Sequence, residues 1–158
     1  MGIVSYYIKN IVRTNLFWFS LFLYLLSLLN ISIISPQSGE EFRGYELLFL
    51  GLIQTYFGLV TFNILSALPW LANISMLLTY IFMYSKQSKN FCLALAVFGT
   101  FCTLSFLFSP YAMLGQDMRL IKVKAGSGAY LWVIASLLLL FSALFAQEMP
   151  NKSLKQDK

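Results

Sequence analysis

Apolar positions in this chain come in long unbroken runs separated by short polar clusters. There is neither the alternation of half-buried strands nor the one-sided periodicity of surface helices. The runs predict five helical segments: Leu16–Ile34, Tyr45–Leu65, Trp70–Tyr84, Phe91–Phe108 and Ala129–Ala146. Pro36, Ser38 and Gly39 close the first, and Ser109-Pro110 closes the fourth. From Leu47 to Ser85 lie 39 residues without a charged side chain. As one straight helix these would extend about 58 Å, against about 30 Å for the hydrocarbon core of a bilayer, so the chain must turn. Within them Pro69 lacks an N–H and disfavours helix at Leu68, Trp70 suits the headgroup level, and Asn73 can cap a new helix. Pro69, Trp70 and Asn73 are therefore expected to form an interfacial turn, opening a third segment that is short for a full crossing.

Composition agrees with the pattern. Of the 158 residues, 59% are hydrophobic and 11% charged, whereas soluble domains carry about 25% charge. The charges bunch at Lys9 and Arg13, Glu40 to Glu46, Lys86 and Lys89, Asp117 to Lys124, and the tail after Glu148. The expected fold is all-α: an integral membrane helical bundle of five hydrophobic helices, four or five of them spanning. Residues 1–146 form one transmembrane domain and 147–158 a polar, disordered cytoplasmic tail. The first run is too long for a signal-peptide core and has no Ala-x-Ala site after it, so it reads as an uncleaved span.

The net charge of +5 does not point to nucleic acid, because the basic residues flank apolar runs and form no single patch. Their distribution bears on topology. Five crossings with the N-terminus inside leave five basic residues inside and six outside, against the positive-inside rule. Four crossings, with the third segment re-entering and both termini inside, give seven inside and four outside. Five crossings with the N-terminus outside give six and five, and also translocate Lys9 and Arg13. Charge favours the four-crossing arrangement.

Lipid offers helices no hydrophobic drive to associate, so small residues and interhelical hydrogen bonds carry the contacts. Gly51, Gln54, Thr55 and Gly58 share one side of the second segment, and Ala96, Gly99, Thr100 and Thr103 one side of the fourth. Ser20, Tyr24, Ser27 and Asn30 line the first, and Ser136 and Ala143 the fifth. These faces either pack on one another, with Gln54 and Asn63 hydrogen-bonded between helices, or line a polar path; packing is the expected reading. Glu46 reads as a charge favoured at a helix N-terminus. Gly126-Ser127-Gly128 has no phosphate-loop context and reads as a flexible lead into the last span, with Tyr130 and Trp132 at the interface.

Chemistry is scarce. There is no histidine, hence no common proton shuttle or metal ligand. No acid or base lies deep inside an apolar run, as ion-coupled transport would need. Cys92 and Cys102 are about 15 Å apart along one helix, beyond disulfide reach. No catalytic set, metal cluster or cofactor motif can be assembled, and enzyme activity is not expected.

Gly44-Tyr45-Glu46, Trp70-x-Ala72-Asn73 and Gly126-x-Gly128-x-Tyr130-Leu131-Trp132 together resemble a group of uncharacterised small polytopic bacterial inner-membrane proteins, over roughly Gly44 to Leu139. That group tends to have Pro after the Asn, where this chain has Ile74. The resemblance implies a bacterial cytoplasmic membrane and nothing about activity. Tyr6-Tyr7-Ile8-Lys9-Asn10-Ile11 is similar to the opening of immunity proteins against pore-forming colicins, small helical membrane proteins that bind the toxin's pore domain within the bilayer. The leading expectation is a non-enzymatic accessory subunit or assembly factor, partnered by the lipid bilayer and another membrane protein or itself. An immunity or exclusion protein comes second, and a channel or carrier for a neutral or lipid-like solute third.

Overall fold

The structure, a computed structural model, describes residues 2–36, 38–60, 64–84, 89–114 and 119–147. It contains helices α1 (Gly2–Leu29), α2 (Gly44–Val60), α3 (Ile64–Phe82), α4 (Lys89–Phe108) and α5 (Ser127–Gln147). Five short strands accompany them: β1 (Ile31–Ile34), β2 (Glu41–Arg43), β3 (Tyr111–Leu114), β4 (Arg119–Lys122) and β5 (Lys124–Ala125). Three stretches, Tyr7–Leu29, Lys89–Phe108 and Ser127–Ala146, are long and apolar enough to cross a membrane. The expected tail beyond Gln147, and Asn63, lie outside the described residues.

The five-helix expectation holds, with two corrections. The first concerns Ile31–Ile34, which continue the apolar run of the first segment but form a strand. Asn30 ends the helix by turning its side-chain N–H back onto the Leu26 carbonyl at 2.8 Å, and the β-branched residues after it suit an extended chain. β1 pairs antiparallel with β2 on one side and β5 on the other. β3 and β4 form a separate hairpin inside what reads from sequence as a loop.

The second correction is at Pro69, Trp70 and Asn73. The chain does not turn there: α3 runs unbroken from Ile64 to Phe82 with Pro69 inside it. Pro69 is the sixth residue of the helix, so the one donor it lacks would have met the Leu65 carbonyl close to the helix start, where the cost of the missing bond is smallest. Asn73 caps nothing. It sits in mid-helix, its Nδ2 donating to the Pro69 carbonyl at 3.3 Å and its Oδ1 accepting from the Tyr24 hydroxyl at 3.2 Å.

Interhelical hydrogen bonds set the arrangement of the helices. Contacts of α1 with α3 run antiparallel, from Arg13 Nη2 donating to the Met83 carbonyl (3.2 Å), through Ser20 with Tyr80, to Tyr24 with Asn73. Ser75 donates to Leu95 O on α4, while Thr100 and Thr103 meet Ser136 on α5. Ser142 on α5 in turn donates to Arg13 O. α1, α3, α4 and α5 thus form a closed antiparallel ring. One end carries the sheets and the other both α1's beginning and α5's end. The apolar stretches of α2 and α3, Gly44–Ile53 and Ala67–Phe82, are both shorter than the three long enough to cross a membrane. Gly44 lies against the Ser27 carbonyl and Gly51 against Trp70, and both neighbours sit at the sheet end. The start of α2 is fixed by Glu46, whose carboxylate accepts the Arg43 backbone N–H at 2.7 Å, the carboxylate half of a capping box.

The ring is closed tightest between α1 and α5. There Ser20, Ala135, Ser142 and Ala143 are all at most 1% exposed. At Gly128 a methyl group would fall 2.9 Å from the carbonyls of Asn30 and Ser27, so this glycine is a packing surface where a flexible lead was expected. The backbones of α1 and α3 stay farther apart, and rings fill the gap: Phe17 stacks edge-on against Tyr80 and Tyr84, with Tyr24 beside Tyr80. Cys92 and Cys102 are buried and unpaired.

Ser20 is the joint of three helices: it donates to Ala135 O at 2.7 Å and accepts the Tyr80 hydroxyl at 2.7 Å. Ser20→Ala strands both partners, and is expected to lower stability by about 1–2 kcal/mol. Ser105→Ala, removing an exposed hydroxyl bonded only within its own helix, should cost under about 0.5 kcal/mol. Equilibrium unfolding in mixed micelles compares the two.

Candidate functional site

The α4 face is packed against α3 and α5, and the described part of the α2 face, Gly51 and Thr55, is buried separately from it. On α4, Ala96, Gly99, Thr100 and Thr103 are buried. Gly99 lies against Ser75 and Met76 of α3, and Thr100 donates to the Ser136 carbonyl of α5 at 3.2 Å. Thr103 bonds the Ser136 hydroxyl at 2.8 Å. On α2, Gly51 and Thr55 are buried, and Gly51 receives the Trp70 ring so closely that a methyl group there would overlap it. Thr55 Oγ1 has no partner among the described residues. The side chain of Gln54 and the surroundings of Gly58 lie outside the described residues.

What the fold assembles instead is a half-open cleft at the sheet end, with a cavity volume of about 60 Å³. Four elements frame it. The last turns of α1 give Ser27 and Leu28, and β1 gives Ser32 and Ile33. α2 gives Gly44, Leu47 and Gly51, and the upper part of α3 gives Pro69, Trp70 and Asn73. Phe106, Tyr111, Ala112, Ala129 and Trp132 complete the wall. The three residues expected to make an interfacial turn thus meet here as one side of a cavity, presented by a continuous helix.

Among the described residues no charged side chain lines the cleft, and its polar groups are mostly engaged. Ser27 donates to Tyr24 O at 2.6 Å, and Asn73 is held at both ends as described. Ser32 makes only long contacts, 3.5 Å, to the Ser27 and Asn30 carbonyls. Trp132 is the exception. It is 8% exposed and packs edge-on against Phe106, and its indole Nε1 is buried with no acceptor among the described residues. Buried indole N–H groups usually find one.

Trp132 is a site residue that the sequence reading placed elsewhere, at an interface together with Tyr130. Tyr130 is 55% exposed, but residues two apart on a helix point to nearly opposite sides. The available signal was the spacing Ala129, Trp132, Ser136, Leu139, Ala143, which puts Trp132 on the buried stripe.

Among the described residues no three or more His, Cys, Asp or Glu side chains come together as a metal site would require. The chain matches no protein-family model, no curated protein and no solved structure.

Because Trp132 contributes its ring to packing and its N–H to no acceptor, two substitutions should separate the roles. Trp132→Phe is expected to change stability by under about 1 kcal/mol, whereas Trp132→Ala should cost about 3–5 kcal/mol. Unfolding of both variants in the same detergent is the measurement.

Proposed function

We propose that the protein is a multi-pass protein of the bacterial cytoplasmic membrane that works without catalysis, as an accessory or assembly subunit acting through intramembrane helix contacts. The observation that carries this reading is the placement of its side chains. Large apolar groups face outward on every helix, for example Phe22 at 58% exposed, Phe49 at 70%, Ile81 at 65%, Phe101 at 63% and Phe141 at 51%. Hydroxyls of Ser20, Thr79, Thr103 and Ser142 are fully buried within. Water would penalise such an exterior; hydrocarbon would solvate it, and would leave the interior hydroxyls to hold the helices together.

In this reading α1, α3, α4 and α5 cross, and α2 lies near the membrane surface at the sheet end. The arrangement keeps the charge balance that favoured four crossings. Seven basic residues fall on the side of the termini and the α3–α4 connection, and four on the sheet side, so the sheets face out. The likeness of Gly44-Tyr45-Glu46, Trp70-x-Ala72-Asn73 and the Gly126 to Trp132 stretch to bacterial inner-membrane proteins supports the choice of membrane.

The surface best suited to a partner is the outer side of α2. Gly51 is spent on Trp70, while Phe49, Leu52, Ile53, Tyr56 and Val60 are between 47% and 70% exposed on one short helix. The carrier reading retains one observation in its favour, the uncharged cleft. The immunity reading rests on the Tyr6 to Ile11 likeness, with Tyr7, Ile8 and Ile11 all exposed.

Two experiments test the proposal. In a background without Cys92 and Cys102, Glu40→Cys should react with an impermeant thiol reagent added outside intact cells, and Asn90→Cys only after the membrane is opened. Equal labelling of both would overturn the topology. A photo-crosslinking side chain at Phe49 or Tyr56 should give one dominant protein adduct, and at Phe101 or Phe141 lipid adducts alone. Lipid adducts at all four positions would overturn the subunit reading.

A further inference from the structure

We infer that the guanidinium of Arg13 holds the phosphate of an anionic phospholipid at the end of the bundle opposite the sheets. The inference rests on the reading above that α1, α3 and α4 cross a membrane, and adds the lipid that one leaflet supplies. Two helices fix the depth of Arg13. α1 has 28 residues, about 42 Å, against about 30 Å for the hydrocarbon core. Counted back from Leu29, about 20 residues reach Asn10, so Arg13 lies within one turn of the hydrocarbon boundary. α3 agrees: it ends at Phe82, and Arg13 Nη2 donates to the carbonyl of Met83 just beyond it.

At this depth the charge has only neutral company among the described residues. Its contacts are the Met83 carbonyl at 3.2 Å and the Tyr84 ring, 5.0 Å from the guanidinium carbon. Both favour a cation, but neither carries a counter-charge. Nε is enclosed without an acceptor, whereas Nη1 has no bond and is not enclosed. The Tyr84 ring beneath is 52% exposed, so the pair lies at the outer surface of the bundle. The described carboxylates, Glu40, Glu41 and Glu46, all lie at the sheet end. Lys9, one turn before Arg13 on the same face of α1, and Lys89, which opens α4, share the Arg13 end. Phe91 meets Phe82 at 5.9 Å and keeps the start of α4 beside the end of α3. A guanidinium stays charged, and a charge without a partner near hydrocarbon is costly, so the site draws an anion. Lipid phosphate is the anion at that boundary, and it accepts charge-assisted hydrogen bonds from arginine. A zwitterionic headgroup fits less well, because it brings its own ammonium toward Lys9 and Lys89.

The test uses the full chain in a non-ionic detergent, titrated separately with dioctanoyl phosphatidylglycerol, dioctanoyl phosphatidylcholine and inorganic phosphate. The three arginines are labelled at Nε, and Arg43→Lys and Arg119→Lys assign the Arg13 resonance by elimination. Phosphatidylglycerol should move that resonance saturably and bind about 5-fold more tightly than phosphatidylcholine. Arg13→Gln, which retains an N–H donor, should weaken phosphatidylglycerol about 10-fold, read by native mass spectrometry of protein–lipid adducts. Lys124→Gln, at an exposed position of the sheet end, should bind as wild type does. An Arg13 resonance that phosphatidylglycerol leaves in place overturns the inference on the wild-type protein alone. Phosphatidylcholine binding as tightly as phosphatidylglycerol, or Arg13→Gln binding phosphatidylglycerol as tightly as wild type, also overturns it. So does inorganic phosphate moving the resonance at the same concentrations, because the site would then take a free anion. The titration is read on isolated protein, so its failure leaves the thiol-labelling and crosslinking outcomes standing, and theirs leaves the titration standing.

Discussion

The structure depends on the close approach of α1 to α5, and that approach depends on the Ser20 hydroxyl. Its oxygen is small enough to let the helices meet at Ala135, and it carries both a proton to give and lone pairs to receive. It gives the proton to α5 and receives one from Tyr80 on α3. Three helices are thereby fixed in rotation about their axes by one side chain. Ser75 toward α4, and the Thr103–Ser136 contact between α4 and α5, extend the same device around the ring. Leucine or valine at these points would push the helices apart and remove the hydrogen bonds that join them.

Rotation fixed in the bundle sets what happens at its end. β1 follows α1 after one residue and β5 precedes α5 by one, so the pairing of Ile33 with Ala125 and Ile34 with Lys124 clamps the two most closely packed helices. The Gly126 N–H bond to Ser32 O at 2.9 Å tightens the clamp. The sheet is small, yet it occupies the place where four helix ends would otherwise converge, and the space left between it, α2 and α3 is the cleft. Cavity and sheet are two results of the same geometry.

Much of this was legible in the chain. α4 and α5 were recovered to within two residues at each end, because charged residues or a Ser-Pro pair bound their apolar runs sharply. The packing stripes were legible too, since small and hydroxyl residues at helical spacing have few other uses in an apolar segment. The strands were not: Ile31 to Ile34 are as apolar as the helix they follow, and a four-residue strand leaves too short a pattern to reveal its period. Pro69 was misread because a proline's cost depends on where in the helix it falls, which the local sequence does not state. Trp70, expected at the headgroup level, meets Gly51 instead, and Asn73, expected to cap a helix, meets Tyr24. The cleft was invisible for a different reason. It is made by residues from α1 to α5 that share no local pattern, and its one unsatisfied atom is unsatisfied only in three dimensions.

The direction of the interior hydroxyl bonds has a consequence along the bundle. Ser20, Ser75, Thr79, Thr100 and Ser142 each end their donation on a main-chain carbonyl, an atom that has no proton of its own to hand onward. Chains of donation along the bundle are therefore one or two links long. Among the described residues, the interior hydroxyls thus form no continuous hydrogen-bonded chain from one end of the bundle to the other.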